Sequence, residues 1–478
     1  MKLAKTLPWP SVLMLGLAGC GTEVESSASD LDALKPQAPG AAFAARFEGG
    51  GAGDLGAVAP EDWTEEVRRL RQAAERGDVQ AQSHIGFMYM SGEGVPENAT
   101  EALRWLGLAA EQGDATAQNN LGVMYDKGQG IAEDDAEAVR WYRLAAEQGD
   151  AVAQHNLGLK YEGGEGVAED DGEAVRWFRL AAESGDLDAR KNLGLMYDRG
   201  SGVPRDEVEA VRWFRLAAAE GHASAQANLG CSYLAGRGVD QDYAEALRWF
   251  REAAAQGHAV AQYNVGVMFD EGLGVSADRA EAAWWYRLAA DQGSLEAQNN
   301  LGTLYRSGDG VPEDDGEAVR WYRMAAEQGC AVAQLNLGSM YLQGEGVSAD
   351  SARALRWYRR AAEQGLAAAQ HNLAATYREG DGVPEDPAEA ARWFRRAAEQ
   401  GQADSQLALG FMYYQGSGVG RDLVQAYAWC NLAAASEDGA RTVLGAVVGE
   451  MTADQVAEGR RLLESLRDRI QNETDSRS

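Results

Sequence analysis

From about residue 79 onward, apolar positions recur in two alternating helical registers joined by glycine-bearing turns. In the first register Ala117, Leu121 and Tyr125 stand at i, i+4 and i+8, one stripe of an α-helix. In the second, Ala138, Trp141 and Ala145 stand at i, i+3 and i+7, again one helical face. The alternation has a fixed step: Trp105, Trp141, Trp177, Trp213, Trp249, Trp285, Trp321, Trp357, Trp393 and Trp429 are each 36 residues apart. A constant period of this length marks a stacked array in which each unit buries its apolar face against its neighbours. The pattern predicts an all-α fold of ten helix-turn-helix repeats over residues 79–438.

Columns through the repeats specify the packing. The tyrosine column that starts Tyr89, Tyr125, Tyr161 is broken only by Phe269, and the glycine column of Gly86, Gly122 and Gly158 only by Ala374. Glycine weakens a helix relative to alanine, so its recurrence predicts close contact with a neighbouring helix. The turn reads Gly-x-Gly before Val or Ile, as in Gly128, Gly130 and Ile131, and glycine stops a helix by adopting the left-handed conformation. The second helix opens on Asp134 with Glu137 three residues later, repeated in Asn98/Glu101 and Asp170/Glu173 and lost at Asp350/Arg353. This predicts a capping box, with the cap side chain bonding the third amide and the glutamate reaching back. Alanine at the 138, 145 and 146 positions of all ten copies lets helices approach while tryptophan fills the larger gap.

The two ends depart from the period. Trp63 to Arg76 looks like an unpaired second helix, which makes residues 61–78 an N-terminal cap. At the far end Ser465 stands where the next tryptophan is due, and Thr452 opens an amphipathic helix with Val456, Leu463 and Ile470 a heptad apart. Residues 439–478 are therefore expected to cap the last repeat.

The first sixty residues follow other rules. Lys2 and Lys5 precede an apolar core from Leu7 to Leu17, interrupted by Pro8 and Pro10, and then Leu17-Ala18-Gly19-Cys20. That is the layout of an export signal over residues 1–19. Its last four residues resemble the bacterial lipobox, which implies cleavage before Cys20 and acylation there; an ordinary signal with a chance cysteine is the alternative. Gly21 is not the aspartate that often retains such proteins at the inner membrane, which favours the outer membrane within the bacterial envelope. Residues 20–60, rich in Ser, Ala, Gly and Pro, bury too little to offset ordering and read as a flexible tether, with a reach of about 35 Å.

Charge narrows the partners. The net charge of −30 becomes −32 when Lys2 and Lys5 leave with the signal. So acidic a surface repels phosphate backbones and argues against nucleic acid, while favouring solubility and partners with a basic patch. Cys231, Cys330 and Cys430 lie about three repeats apart, too far to pair with one another, and are expected to be small buried hydrophobes.

The run Ala-x-Ala-Gln-x-Asn-Leu-Gly-x-x-Tyr, Gly-x-Gly-Val, Glu-Ala-x-x-Trp-x-x-x-Ala-Ala resembles the Sel-one-like repeat, a relative of the tetratricopeptide repeat. The resemblance covers about residues 62–438 and implies a right-handed α-solenoid whose members act as adaptors assembling protein complexes, often at membranes.

By that resemblance the first helix of each unit lines the binding groove. Its variable stripe at 116, 119, 123 and 126 lies about 200° around the helix from the near-invariant 117, 121 and 125. The 119-type column runs through His155, Lys191, Tyr263 and Asn299, and the 126-type column through Asp126, Glu162, Asp198, Arg306 and Arg378. The second column predicts an acidic stretch over 126–198 that turns basic and mixed over 306–378. The 123-type column is mostly apolar and reads as half buried. A peptide-like ligand along this face would be anchored by Lys191, Tyr263, Arg306 and Arg378; an exposed face free of constraint would drift in the same way.

Chemistry is not legible in the sequence. The Gly-x-Gly turns lead into Asp and Glu and lack the strand and lysine of a phosphate loop. Clusters such as Glu133-Asp134-Asp135 fit helix caps better than calcium loops, the five histidines have no ligand spacing, and no serine nucleophile signature occurs, so neither metal nor cofactor is expected. Trp284, where most repeats have Arg, marks either a contact patch or a surface accident. The reading is a non-enzymatic, monomeric envelope adaptor that binds proteins or peptides. Two alternatives remain: a β-lactam-binding or hydrolysing protein, by analogy to relatives with paired cysteines in each repeat, which this chain lacks, and a structural spacer of an envelope complex.

Overall fold

The computed structural model describes residues 65–434 and 438–475. The signal segment, Cys20, the tether and Trp63 lie outside the described residues. Twenty-three helices and no strand occur among the described residues, and each repeat contributes a first and a second helix, as in Ala151–Gly163 and Asp171–Glu183. Helices adjacent in sequence pack on one another, which makes the array an α-solenoid. The chain divides into two compact units, residues up to Ala261 and residues from Gln262. No helix among the described residues is long and apolar enough to cross a membrane.

Each helix boundary has a local cause. The first helix of repeat 3 starts at Asp150, whose carboxylate accepts from Ala153 N–H at 2.8 Å, and ends at Gly164 with φ 67°. The second starts at Asp170, whose side chain accepts from Glu173 N–H at 3.0 Å. Half of the expected capping box is therefore present, and the other half is not. The cap N–H is taken by the carbonyl of the tyrosine column, from Asn98 to Tyr89 at 2.7 Å through Asp422 to Tyr413 at 3.0 Å, with Phe269 serving Asp278. The glutamate is thereby released to neighbours on its own helix, as Glu137 to Arg140 at 2.8 Å and Glu101 to the Trp105 indole at 2.9 Å. This also explains Asp350/Arg353: the cap needs only the arginine's backbone amide, bonded at 2.9 Å.

In the first unit, the glycine column receives a side chain from the second helix. A Cβ on Gly122 would lie 2.6 Å from the Tyr142 ring, and one on Gly158 2.6 Å from the Phe178 ring. The close neighbour is an aromatic ring at Gly122, Gly158, Gly194 and Gly230, and the Leu106 side chain at Gly86. The second turn glycine faces the preceding repeat: a Cβ on Gly166 would stand 2.2 Å from the Asp135 carbonyl oxygen. Trp177 joins the apolar cluster of repeats 1 and 2, and Trp213 that of repeat 3, so each indole closes the joint behind it. Buried glutamines tie the same joints. Gln118 donates to the Ala110 carbonyl at 3.0 Å and accepts from Gln148 at 2.7 Å. In repeat 4 the pair becomes Arg190 and Glu220, bonded at 2.5 Å, with Arg190 still donating to Ala182 O at 3.1 Å.

The helix Glu65–Glu75 behaves as the second helix of a missing repeat: Gln82 donates to Ala74 O at 3.0 Å and Arg71 to Tyr89 Oη at 3.2 Å.

In the second unit the same contacts recur, with Gln328 donating to Gln298 at 3.2 Å and Tyr322 filling the space over Gly302. Its end is closed by Ala453–Asp475, which packs on Leu423–Ala433. Leu463 and Leu466 enter the core, with Val456 and Ile470 against it. Thr452 and Gln455 cap that helix reciprocally at 2.9 and 3.3 Å.

Candidate functional site

The first helices have less free surface than helical geometry alone suggests. They are flanked by copies of themselves, so the 119-type column, expected to face solvent, is a contact between repeats. Asn119 is 2% exposed and its Oδ1 accepts from Asn156 at 2.9 Å; His155 meets Asn192 at 3.0 Å, and Asn336 donates to Asn299 at 2.9 Å. Lys191 and Tyr263, two of the four anchors named from sequence, are buried at 9% and 4% exposure. Tyr263 packs on the Tyr286 ring at 5.8 Å, and burial pushes its pKa up to about 12.

The 126-type column also differs from expectation. Its charges are matched, most of them one repeat on, so it is no free acidic or basic track. Glu162 meets Arg199 at 3.8 Å and Asp198 meets Arg237 at 3.4 Å. The third anchor, Arg306, pairs with Glu345 at 2.9 Å; the fourth, Arg378, is exposed, pairs with Glu379 at 2.8 Å and lies over the Phe394 ring. Tyr263, Arg306 and Arg378 are thus each engaged locally within the second unit. The 123-type column, expected to be half buried, is mixed: half buried at Phe87, Leu159 and Leu195, buried at Val123 and Cys231, and exposed at Phe411.

Asp126 has the most buried partner. Lys160, where other repeats carry Met88, Met124 or Met196, places its ammonium against Asp126 and within 2.7 Å of both Asp135 and Glu165. Burial works against the charge, yet the three carboxylates outweigh it and hold the Lys160 pKa above the ordinary lysine value. The carboxylates lie within 4.8 Å of one another, and the chain's own ammonium takes the position a cation would. Asp134, by contrast, caps its helix as expected.

One cleft open to a ligand in the first unit, of about 550 Å³, lies across repeats 1–3. Gln80, Ser83, His84 and Phe87 line it from the first repeat, Thr116, Asn119 and Asn120 from the second, and Asp150 and Val152 from the third. Asn120 is 2% exposed, and its Oδ1 has no hydrogen-bond partner. Burial pushes the Asp150 carboxyl pKa up against the backbone amides that lower it, and the neighbouring caps Asp114 and Asp186 add to the rise. The sequence did carry a signal for this place. The first-helix caps read Asp78, Asp114, Asp150 and Asp186, then His222, His258, Ser294, Cys330, Leu366 and Gln402, so carboxylates occur only in the first four.

Other side chains of interest resolve into structure. His222 caps its helix through Nδ1 and bonds Asp188 at 2.9 Å, which holds the Asp188 pKa down to about 2. Cys430 is buried and free, its thiol pushed up to about 12 by burial; Cys330 is free and half buried at a helix cap. Cys231 is buried, as expected of a small apolar side chain. Trp284 is 52% exposed and lies edge-on to Trp285, where Arg140 and Arg176 lie over their own tryptophans.

The family model for the Sel1 repeat matches residues 79–114, 115–150, 151–186, 187–222, 223–258, 259–294, 295–330, 331–366, 367–402 and 403–438. Among solved structures the chain is similar to a protective antigen present in uropathogenic Escherichia coli strains that displays an SLR fold. Identity there is 38%, covering 87% of this chain and 90% of that one, with a TM-score of 0.75. A Sel1 repeat protein from Oxalobacter formigenes is 36% identical over 64% of this chain and 90% of that one, with a TM-score of 0.53. No curated protein sequence matches the chain.

Proposed function

The chain belongs to the Sel1-repeat family, whose tandem helix pairs serve as protein-interaction scaffolds, and from that premise we propose that it is an adaptor of the bacterial envelope. In this reading Cys20 carries the lipid anchor, residues 20–60 are the tether, and the repeats present a peptide-binding face to a protein partner without catalysing a reaction.

The observation that supports it is the division of polar groups on the first helices. Asn156 and Asn192, Asp198 and Arg306 are all committed to neighbouring repeats, whereas the wall of the repeat 1–3 cleft keeps an unpaired acceptor in Asn120. Joints that use their polar groups hold the repeats in register, and a cleft with polar and apolar walls is what such an array offers a partner.

The test is crosslinking in intact cells followed by identification of the captured proteins, alongside metabolic labelling with palmitate. The adaptor reading expects a reproducible partner and a label lost in Cys20→Ser. A wild-type chain that captures no partner would refute the scaffold, and an unlabelled chain the anchor. Deletion of repeats 2 and 3 in phase separates a binder, which loses its partner, from a spacer, which keeps partial function. Hydrolysis of nitrocefin by the pure protein would contradict the non-enzymatic reading.

A further inference from the structure

We infer that repeat 6 receives an arginine side chain of a bound protein, its guanidinium laid on the exposed indole of Trp284 and paired with the Glu281 carboxylate. This rests on the scaffold reading and adds the chemistry by which a partner is recognised.

Most repeats fill the corresponding place from their own chain. On the exposed side of the second helix a glutamate, an arginine three residues on and the tryptophan after it act together. Arg140 bonds Glu137 at 2.8 Å and lies 4.7 Å from the centre of the Trp141 ring, so its guanidinium is held from two sides. Arg176 does the same with Glu173 at 2.8 Å and the Trp177 ring at 4.6 Å. Arg320 follows in the next repeat but three, with Glu317 at 2.9 Å and the Trp321 ring at 4.7 Å.

Repeat 6 keeps the glutamate and the tryptophan and lacks the arginine. Its second helix, Arg279–Asp291, carries Glu281 and Trp285 with Trp284 at the arginine position. One oxygen of Glu281 accepts from the Trp285 indole N–H at 3.1 Å, and no cation pairs with the carboxylate among the described residues. The arginines of the same helix are committed elsewhere. Arg279 pairs with Asp270 at 3.0 Å and Asp309 at 2.9 Å, and Arg287 lies over the Tyr305 and Trp321 rings of the next repeat. Trp284 meets Trp285 at 80° with 4.5 Å between ring centres, so the two are not stacked, and it stays 52% exposed.

Glu281 and Trp284 stand three residues apart on one helix and are therefore neighbours on its surface. A carboxylate without a cation beside an open indole is the pair of groups that holds a guanidinium elsewhere in the array. Guanidinium suits it better than ammonium, because the planar, weakly hydrated group stacks on an aromatic face while its fork bonds a carboxylate. The net charge of −30 draws a basic segment toward the chain.

The experiment is fluorescence anisotropy of a labelled Gly-Ala-Arg-Ala-Gly peptide with the full chain, at roughly 0.15 M salt to screen the general acidity. We expect saturable binding that falls about fivefold in Trp284→Gln and in Glu281→Gln, the loss of one stacked cation or one exposed ion pair. Trp284→Tyr, which keeps an aromatic face, should bind like the wild type. Gln425 already serves the Trp429 indole at 3.1 Å, so glutamine at 281 preserves the internal bond and removes only the charge. All three variants should keep the wild-type circular dichroism. Equal affinity of wild type and Trp284→Gln would overturn the inference. Equal binding of a peptide with citrulline for arginine would overturn it in favour of a plain apolar contact, and equal binding of the lysine peptide would overturn the guanidinium. A cellular partner still captured by Trp284→Gln, with no arginine binding in wild type, would sink this site while leaving the scaffold standing.

Discussion

Replacing Ser184 with glutamine should stabilise the joint between repeats 2 and 3. In most repeats a glutamine at the end of the second helix donates to the buried glutamine of the first, as Gln148 does to Gln118 at 2.7 Å and Gln364 to Gln334 at 2.8 Å. Repeat 3 ends its second helix on Ser184, too short to reach, and the Oε1 of Gln154 is buried without a partner. The orientation of that amide is fixed, because its nitrogen must donate to the Ala146 carbonyl at 3.1 Å. An unpaired buried acceptor costs about 1–3 kcal/mol, and a formed bond returns a net 0.5–1.5 kcal/mol or so. Ordering the new side chain takes back a fraction of this, leaving roughly 1 kcal/mol. Backbone strain adds nothing: Ser184 sits at φ −79°, ψ −2° and Gln148 at φ −84°, ψ −4°.

Unfolding of a long repeat chain need not be two-state, so native-state hydrogen exchange is the right assay. Amides of the helix Ala151–Gly163 should gain protection by about fivefold in Ser184→Gln, the equivalent of roughly 1 kcal/mol. Gln148→Ser should lower protection in Ala115–Asp126 by a similar factor. No change in either variant would show that the glutamine relay contributes nothing to the joint.

Three further outcomes follow from the geometry. Lys160→Met, which restores the residue of neighbouring repeats, should cost about 3–5 kcal/mol at neutral pH by leaving the almost buried Asp126 carboxylate uncompensated; thermal scans should show the loss shrinking as acid protonates it. Gly238→Ala should cost several times more than Gly221→Ala, because its Cβ would meet the Glu207 carbonyl oxygen at 2.1 Å, whereas Gly221, also at positive φ, has nothing within 4 Å and incurs about 1–2 kcal/mol of backbone strain; denaturant melts of the pair measure the difference. His258 caps its helix through Nδ1 toward Ala261 N–H, and burial, helped by His222 and Lys191, lowers its pKa. Since the unfolded chain binds that proton first, its stabilisation is complete above the ordinary imidazole value of about 6.5 and is lost as pH falls below it; His258→Asn should flatten this limb of a stability–pH profile.

The repeat, its helices and both end caps were legible because each is written in a column of like residues: the tryptophans, the 122-type glycines, and Leu463 and Ile470 at heptad spacing. The ligand face was not. Placing Lys191 and Tyr263 on it relied on the angle between 119 and 121, which is sound for one helix and fails when the same helix stands on either side. Asp198 and Arg306 looked free because their partners, Arg237 and Glu345, are 39 residues away and belong to another column. The capping box failed for a comparable reason: the tyrosine carbonyl that takes the cap N–H stands nine residues upstream, beyond the reach of a motif four residues long.

The joints have a consequence for how such a chain changes. Indole and second turn glycine meet like partners at successive boundaries, and glutamine does so at most of them, so a block of 36 residues inserted or excised in register brings nearly a complete interface with it. Array length can therefore vary by unequal recombination without new contacts having to evolve. Cap identities such as Asp150 and His222 remain free to diverge afterwards, since a helix start accepts several residue types, and chemical distinctness can accumulate along a scaffold whose seams stay uniform.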